Sequence, residues 1–178
     1  MKFTELEIKG VWLIEAKKFG DARGYFMETF KKELFESHIS KVNFIQNNES
    51  KSSYGVLRGL HYQQGDMAQA KLVRAVVGSV LDVVVDIRPD SPTYGKHIAV
   101  ELSEENACQL FVPRGMAHGF VVLSETALFS YKVDNIYAPQ SEACILATDP
   151  ALGIDWRVPA DQCLMSEKDK IGKLFSEI

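Results

Sequence analysis

The run Val80–Arg88, VLDVVVDIR, constrains this chain more than any other stretch, because it is too apolar to face water on either side yet carries two carboxylates. Read as a strand, it points Asp82, Val84 and Asp86 to one face and Val83, Val85 and Ile87 to the other. A strand buried on both faces needs covering layers above and below, and buried carboxylates need partners. The neighbouring segments are also strand-like. Ala70–Val77 is rich in aliphatic and β-branched residues, and Gly78-Ser79 reads as a two-residue turn, which predicts a hairpin between the two runs. Upstream, Leu57–Tyr62 forms a strand carrying Arg58 and His61, followed by a polar loop, Gln63–Gln69. Arg58 and His61 are three apart and would face opposite ways in a regular ladder; a β-bulge at Gly59 would bring them to one side.

The rest of the chain fits around this centre. Its 178 residues suit one domain, 1–178, with a core large enough to need neither disulfides nor structural metal. A net charge of −4 gives no reason to expect nucleic acid or an anionic membrane as partner, so any anion must be met by local basic residues. No run approaches the ~20 apolar residues of a membrane span. The start, MKFTELEIKGVWLIE, alternates like a strand and lacks a signal peptide's apolar core, so a cytoplasmic location is expected. Cys108, Cys144 and Cys163 follow no ligand spacing and read as reduced packing residues. Asp21–Gly24 reads as a turn and Tyr25–Phe30 as a strand. Lys31–His38 reads as a helix with Leu34 towards its apolar side. From Val42 onward, short strands punctuated by Gly, Pro, Asn and Asp suit an antiparallel sandwich. Ser166, with Asp169 three residues on, can cap a helical turn in the charged tail. Pattern alone predicts an all-β sandwich or barrel.

The blocks LRGLHYQ and QAKLVRAVVGSVLDVVVDIRPDSPTYG resemble the core of the dTDP-4-dehydrorhamnose 3,5-epimerase family. DARGYFMETF, QNN, FVPRGMAHGF, YKVDNIYAPQSE, DPALGIDW and LMSEKD are similar to the family's other blocks, in order, so the resemblance covers nearly the whole chain. Ala147-Thr148, ahead of Asp149, departs from the aromatic and asparagine more usual there. The resemblance implies an all-β, cupin-like double-sheet jelly roll with a few short peripheral helices, and a cofactor-free isomerase that takes a dTDP-4-keto-6-deoxy sugar in dTDP-L-rhamnose biosynthesis. It also implies a homodimer whose N-terminal region reaches the partner's site.

Such a reaction removes a hydrogen that is acidic only beside a carbonyl, which demands a base, a group to hold the enolate oxygen, and an acid on the other face. His61 matches the family's base, and an imidazole of pKa about 6.5 suits that role near neutral pH. Its carboxylate partner is expected to be Asp169, with Asp82 the second choice. Lys71 matches the lysine near the keto oxygen, where charge stabilisation is commonly worth about 3 kcal/mol. Without the family it reads as a strand-edge gatekeeper. Tyr131 matches the opposite-face acid; alone it reads as a sandwich-core aromatic. The resemblance assigns His118 to substrate binding. Arg23, Arg58, Lys168, Glu28, Gln46, Asn47, Asn48 and Glu142 serve the nucleotide and diphosphate, with Phe26 and Phe19 beside the base. Surface ion pairing is the plainer reading of Glu142 and Lys168.

Two other classes are weighed. A metal-dependent cupin needs two or more converging histidines and usually a carboxylate, whereas the four histidines here are scattered and no metal ligands are assigned. A non-catalytic sugar-nucleotide binding module would lack His61 or Tyr131, and both are present. Within the family, a single-position epimerase or a ketoisomerase would share most of these residues.

Overall fold

Strands dominate the computed structural model, which describes residues 1–178. In chain order they are β1 (Lys2–Glu5), β2 (Trp12–Glu15), β3 (Lys18–Asp21), β4 (Gly24–Met27), β5 (Gln46–Ser53), β6 (Leu57–Gln63), β7 (Lys71–Val77), β8 (Ser79–Asp86), β9 (His97–Ser103), β10 (Cys108–Val112), β11 (Met116–Val122), β12 (Thr126–Val133) and β13 (Glu142–Cys144). Two short α-helices accompany them, α1 (Lys32–His38) and α2 (Glu167–Lys170). The strands form a six-stranded sheet in the order β1-β2-β10-β7-β12-β5, a five-stranded sheet in the order β13-β6-β11-β8-β9, and the separate hairpin β3-β4. This is the all-β, cupin-type double sheet expected, with helices only at its periphery. No helix is long and apolar enough to cross a membrane.

The apolar run lies where its composition requires. β8 runs between β11 and β9, and its side chains divide by parity. Val80 and Val84 enter the core between the sheets, beside Val73, Leu110, Phe120 and Phe129. Leu81, Val83 and Val85 face outward into a second apolar layer with Ile145, Leu152 and Trp156 from the C-terminal segment. That segment is tied down by polar contacts. The Trp156 Nε1–H donates to the Ala147 carbonyl at 2.9 Å, and the buried Asp149 accepts from the Phe175 N–H at 2.6 Å. Ala147, where the sequence departs from the family pattern, is fully enclosed in this layer. A third cluster covers the outer face of the six-stranded sheet, where α1 places Phe35 edge-on to Phe111 and Phe44. Phe35, more than Leu34, therefore carries the helix's burial.

The two buried aspartates of β8 have different partners. Asp86 accepts from Arg88, Ser91 and Thr93, at 2.7, 2.6 and 2.6 Å for the closest contact of each. Burial raises its pKa, but these donors outweigh that and hold the carboxyl well below the usual range. Asp86 thus fastens the turn leading to β9. Asp82 instead meets His118, described below.

The predicted hairpin does not form. β7 and β8 belong to different sheets, and Gly78 is the point where the chain crosses between them. Its φ is +70°, and a Cβ there would lie 2.1 Å from the Thr126 carbonyl oxygen, so the glycine serves a crossover instead of a two-residue turn. The N-terminal stretch likewise differs from the single strand expected: it folds into β1 and β2, antiparallel around a turn at Leu6–Val11. The strand expected over Tyr25–Phe30 ends at Met27. By contrast, the bulge at Gly59 is present. His118 faces His61 and Phe120 faces Arg58, two steps along β11 against three along β6. Replacing Gly78 with Ala should lower unfolding stability by about 2 kcal/mol or more, because both the backbone conformation and the space forbid a side chain; equilibrium denaturation of the variant checks this.

Candidate active site

The bulged strand β6 points Arg58 and His61 into a cavity between the sheets, where β7 supplies Lys71, β11 His118, and β12 Tyr131. This inner cavity, about 210 Å³, adjoins a larger and more polar cleft of about 420 Å³. His61, Lys71 and Tyr131 line both, and Gln46, Asn48, Glu142 and Tyr137 are among the residues lining the cleft. His61 enters from the five-stranded sheet, while Tyr131 and Lys71 enter from the six-stranded sheet.

His61 is held by the C-terminal segment. Its Nε2 lies 2.5 Å from Asp169 Oδ1. A carboxylate only accepts, so Nε2 carries the proton and Nδ1 keeps its lone pair. Asp169 is itself buried and fixed by Ser166, whose Oγ donates to Oδ2 at 2.8 Å and accepts from the Asp169 N–H at 3.2 Å. The predicted cap therefore also orients the carboxylate. Burial lowers the His61 pKa; Asp169 opposes this, Lys71 adds to it, and the net shift is downward, which leaves a neutral imidazole near pH 7.

Asp82, the second choice for that partnership, serves His118 instead: His118 Nε2 lies 2.9 Å from each Asp82 oxygen, and both residues are buried. Burial raises the Asp82 pKa against the pull of His118 and Lys71. Burial also pushes the Lys71 ammonium down to about 8, with Asp82 and Glu142 resisting the change. Lys71 thus remains mainly protonated at neutral pH, half-buried where the inner cavity meets the cleft.

At the rim, Glu142 accepts from Lys168 and, at 2.6 Å, from the Tyr137 hydroxyl. Tyr137 lies inside the YKVDNIYAPQSE block but carries no local signal of a binding role. Its loop is braced by Gln63, which donates to the Met67 and Ile136 carbonyls and accepts from the Ala138 N–H. Cys144, read as a packing residue, sits beside the dyad with Sγ 4.0 Å from Asp169 Oδ1. His61, Cys144 and Asp169 are the one set of three potential metal ligands grouped closely, within 4.8 Å of one another. Burial, reinforced by Asp169, pushes that thiol up to about 12, so it stays protonated.

Five nucleotide-site candidates lie elsewhere. Arg23, Phe26 and Glu28 are exposed on or beside the β3-β4 hairpin, with Arg23 paired to Asp21 at 2.6 Å, and Phe19 packs near Phe26 there. Asn47 alternates outward from Gln46 and Asn48 and lines a groove on the outer face of the sheet with Arg74, Gln109 and Lys132. A single copy of the chain therefore does not unite these five with His61.

Fold and cleft together define the class, a cupin-type jelly roll with ionisable side chains set around one cavity between its sheets. The model of the dTDP-4-dehydrorhamnose 3,5-epimerase family matches residues 5–177. The dTDP-4-dehydrorhamnose 3,5-epimerase of Salmonella typhimurium is 55% identical over 172 residues, covering 96% of this chain and 93% of that one. The crystal structure of the enzyme from Elizabethkingia anophelis superposes with a TM-score of 0.95 at 50% identity, covering 99% of this chain and 97% of that one. A Legionella pneumophila dTDP-6-deoxy-D-glucose-3,5-epimerase, solved in complex with dTDP-4-keto-L-rhamnose, also gives 0.95, at 44% identity and with 99% and 94% covered. This chain belongs to the dTDP-4-dehydrorhamnose 3,5-epimerase family.

NMR titration of the His61 ring should give an apparent pKa below 6.5, and Asp169→Asn should move it lower still by removing the group that opposes burial. A wild-type value above 6.5 would contradict this balance.

Proposed function

We propose that the protein converts dTDP-4-dehydro-6-deoxy-α-D-glucose to dTDP-4-dehydro-β-L-rhamnose by inverting carbons 3 and 5. Both carbons flank the 4-keto group, which alone makes their hydrogens acidic. The observation that carries the reading is that His61 and Tyr131 enter one cavity from opposite sheets, so a proton can leave one face of the sugar and return to the other. His61 Nδ1, left basic by the Asp169 contact at Nε2, takes the proton. The Lys71 ammonium stabilises the enolate oxygen. The Tyr131 phenol, weak as an acid, is adequate towards a basic enolate carbon and returns the proton. Solvent then restores both groups. The same arrangement acts at each carbon in turn.

Arg58 in the inner cavity, with Gln46, Asn48, Glu142 and Lys168 around the cleft, suits the diphosphate and base, and His118 borders the sugar. Arg23, Phe26, Glu28 and Phe19 reach a site only if a second copy of the chain presents its hairpin. The exposed aromatic tip, with Phe26 70% and Phe19 54% accessible, supports a homodimer in which sites are shared. Free thiols at Cys108, Cys144 and Cys163 fit a cytoplasmic setting.

Turnover of the keto sugar, trapped by a downstream reductase, tests the assignment. His61→Asn should cost at least 10²- to 10⁴-fold in kcat and leave dTDP affinity within a few-fold. Near-normal turnover would overturn the role of His61. Mixing His61→Asn subunits with an Arg23→Ala/Phe26→Ala variant should recover activity above either parent, since one site of a mixed dimer has both an intact histidine and an intact hairpin. A fully active monomer in sedimentation would overturn the shared site.

A further inference from the structure

One buried side-chain nitrogen or oxygen in the molecule has no hydrogen-bond partner in the protein, the hydroxyl of Ser50. Burying a hydroxyl unpaired lowers stability, and an alanine of nearly the same size would avoid that cost. Ser50 lies on β5, on the same strand face as Ser52, and lines the inner cavity with Arg58, Lys71 and Tyr131. The two serines differ. Ser52 Oγ accepts from Arg58 Nε and Nη2, each at 3.2 Å, and so holds the guanidinium along this wall. Ser50, one step further on that face and directly across from Phe129 on β12, has no partner within the protein and faces the cavity.

We infer that Ser50 is a substrate-positioning residue whose hydroxyl donates to a phosphoryl oxygen of the nucleotide diphosphate, beside the remaining donors of Arg58. A hydroxyl next to a guanidinium offers neighbouring donors to one anionic group, which is the chemistry a phosphoryl oxygen needs. Because no protein group meets this hydroxyl, a bond from it to the ligand adds affinity without replacing a contact that holds the fold. This inference rests on the epimerase reading above.

The test uses the full-length Ser50→Ala and Ser50→Thr proteins. Calorimetry should show dTDP binding weakened about ten- to a hundredfold in Ser50→Ala, since hydrogen bonds to charged groups are the stronger kind. Ser50→Thr, which keeps the hydroxyl, should stay within a few-fold of wild type. The free Ser50→Ala protein should melt at the same temperature as wild type or higher, a result that a structural hydroxyl would not give. Unchanged dTDP affinity in Ser50→Ala, with wild type binding normally, would overturn the Ser50 assignment alone. A higher KM for the keto sugar with dTDP affinity intact would move the contact off the phosphate and also overturn it. A wild-type protein that does not bind dTDP would overturn the functional reading together with this inference.

Discussion

The contact between His61 Nε2 and Asp169 Oδ1 joins residues 108 positions apart, and much of the C-terminal third exists to hold it. Asp169 lies on a four-residue helix that could not persist alone. It is steadied by the Ser166 cap, by the parallel bridge between Val56 and Leu164, and by the bridge between Ile145 and Lys173. Beneath these contacts, Ile145, Leu152, Trp156 and Val158 pack on the outward face of the five-stranded sheet. The apolar layer that completes the fold thus also fixes which nitrogen of His61 bears the proton.

The same sheet that buries β8 sets the electrostatics of the cavity. Burial raises the pKa of Asp82, the His118 contact opposes that rise, and Asp82 in turn helps Lys71 retain its proton against burial. Two histidines from adjacent strands therefore stand in one cavity with different partners, His61 with Asp169 and His118 with Asp82. The bulge at Gly59 brings Arg58 into the same space, and β5 lines the cavity with Ser50 and the adjoining cleft with Asn48, while Ser52 holds Arg58. Chemistry at carbon needs groups above and below a planar enolate, and two facing sheets provide that separation.

Much of this was legible in residue order, and what was not has a common cause. Burial on both faces follows from composition and holds for Val80–Asp86, with Ile87 and Arg88 half-buried beyond the strand; the reversal of facing at Gly59 follows from a spacing of three, and the Ser166 cap from local chemistry. The false hairpin at Gly78 arose because a glycine turn signal reports a local change of direction and says nothing about which strands pair afterwards. Asn47 was grouped with Gln46 and Asn48 by motif, although strand alternation sends it to the other face of the sheet. Tyr137 and Ser50 carry no motif of their own: one matters through a loop braced by Gln63, the other through a partner missing from its surroundings. The pairing of His61 with Asp169 instead of Asp82 was proposed from family resemblance, since no local rule connects residues so far apart.

The most direct test of the account is hydrogen exchange at the substrate's carbons, followed by NMR of the 4-keto-6-deoxy dTDP-sugar incubated with the protein in heavy water. The account predicts deuterium at both carbon 3 and carbon 5, with incorporation abolished by His61→Asn. Deuterium at one carbon alone would contradict the double inversion, and no deuterium at either, with the nucleotide still bound, would contradict proton transfer at this cavity altogether.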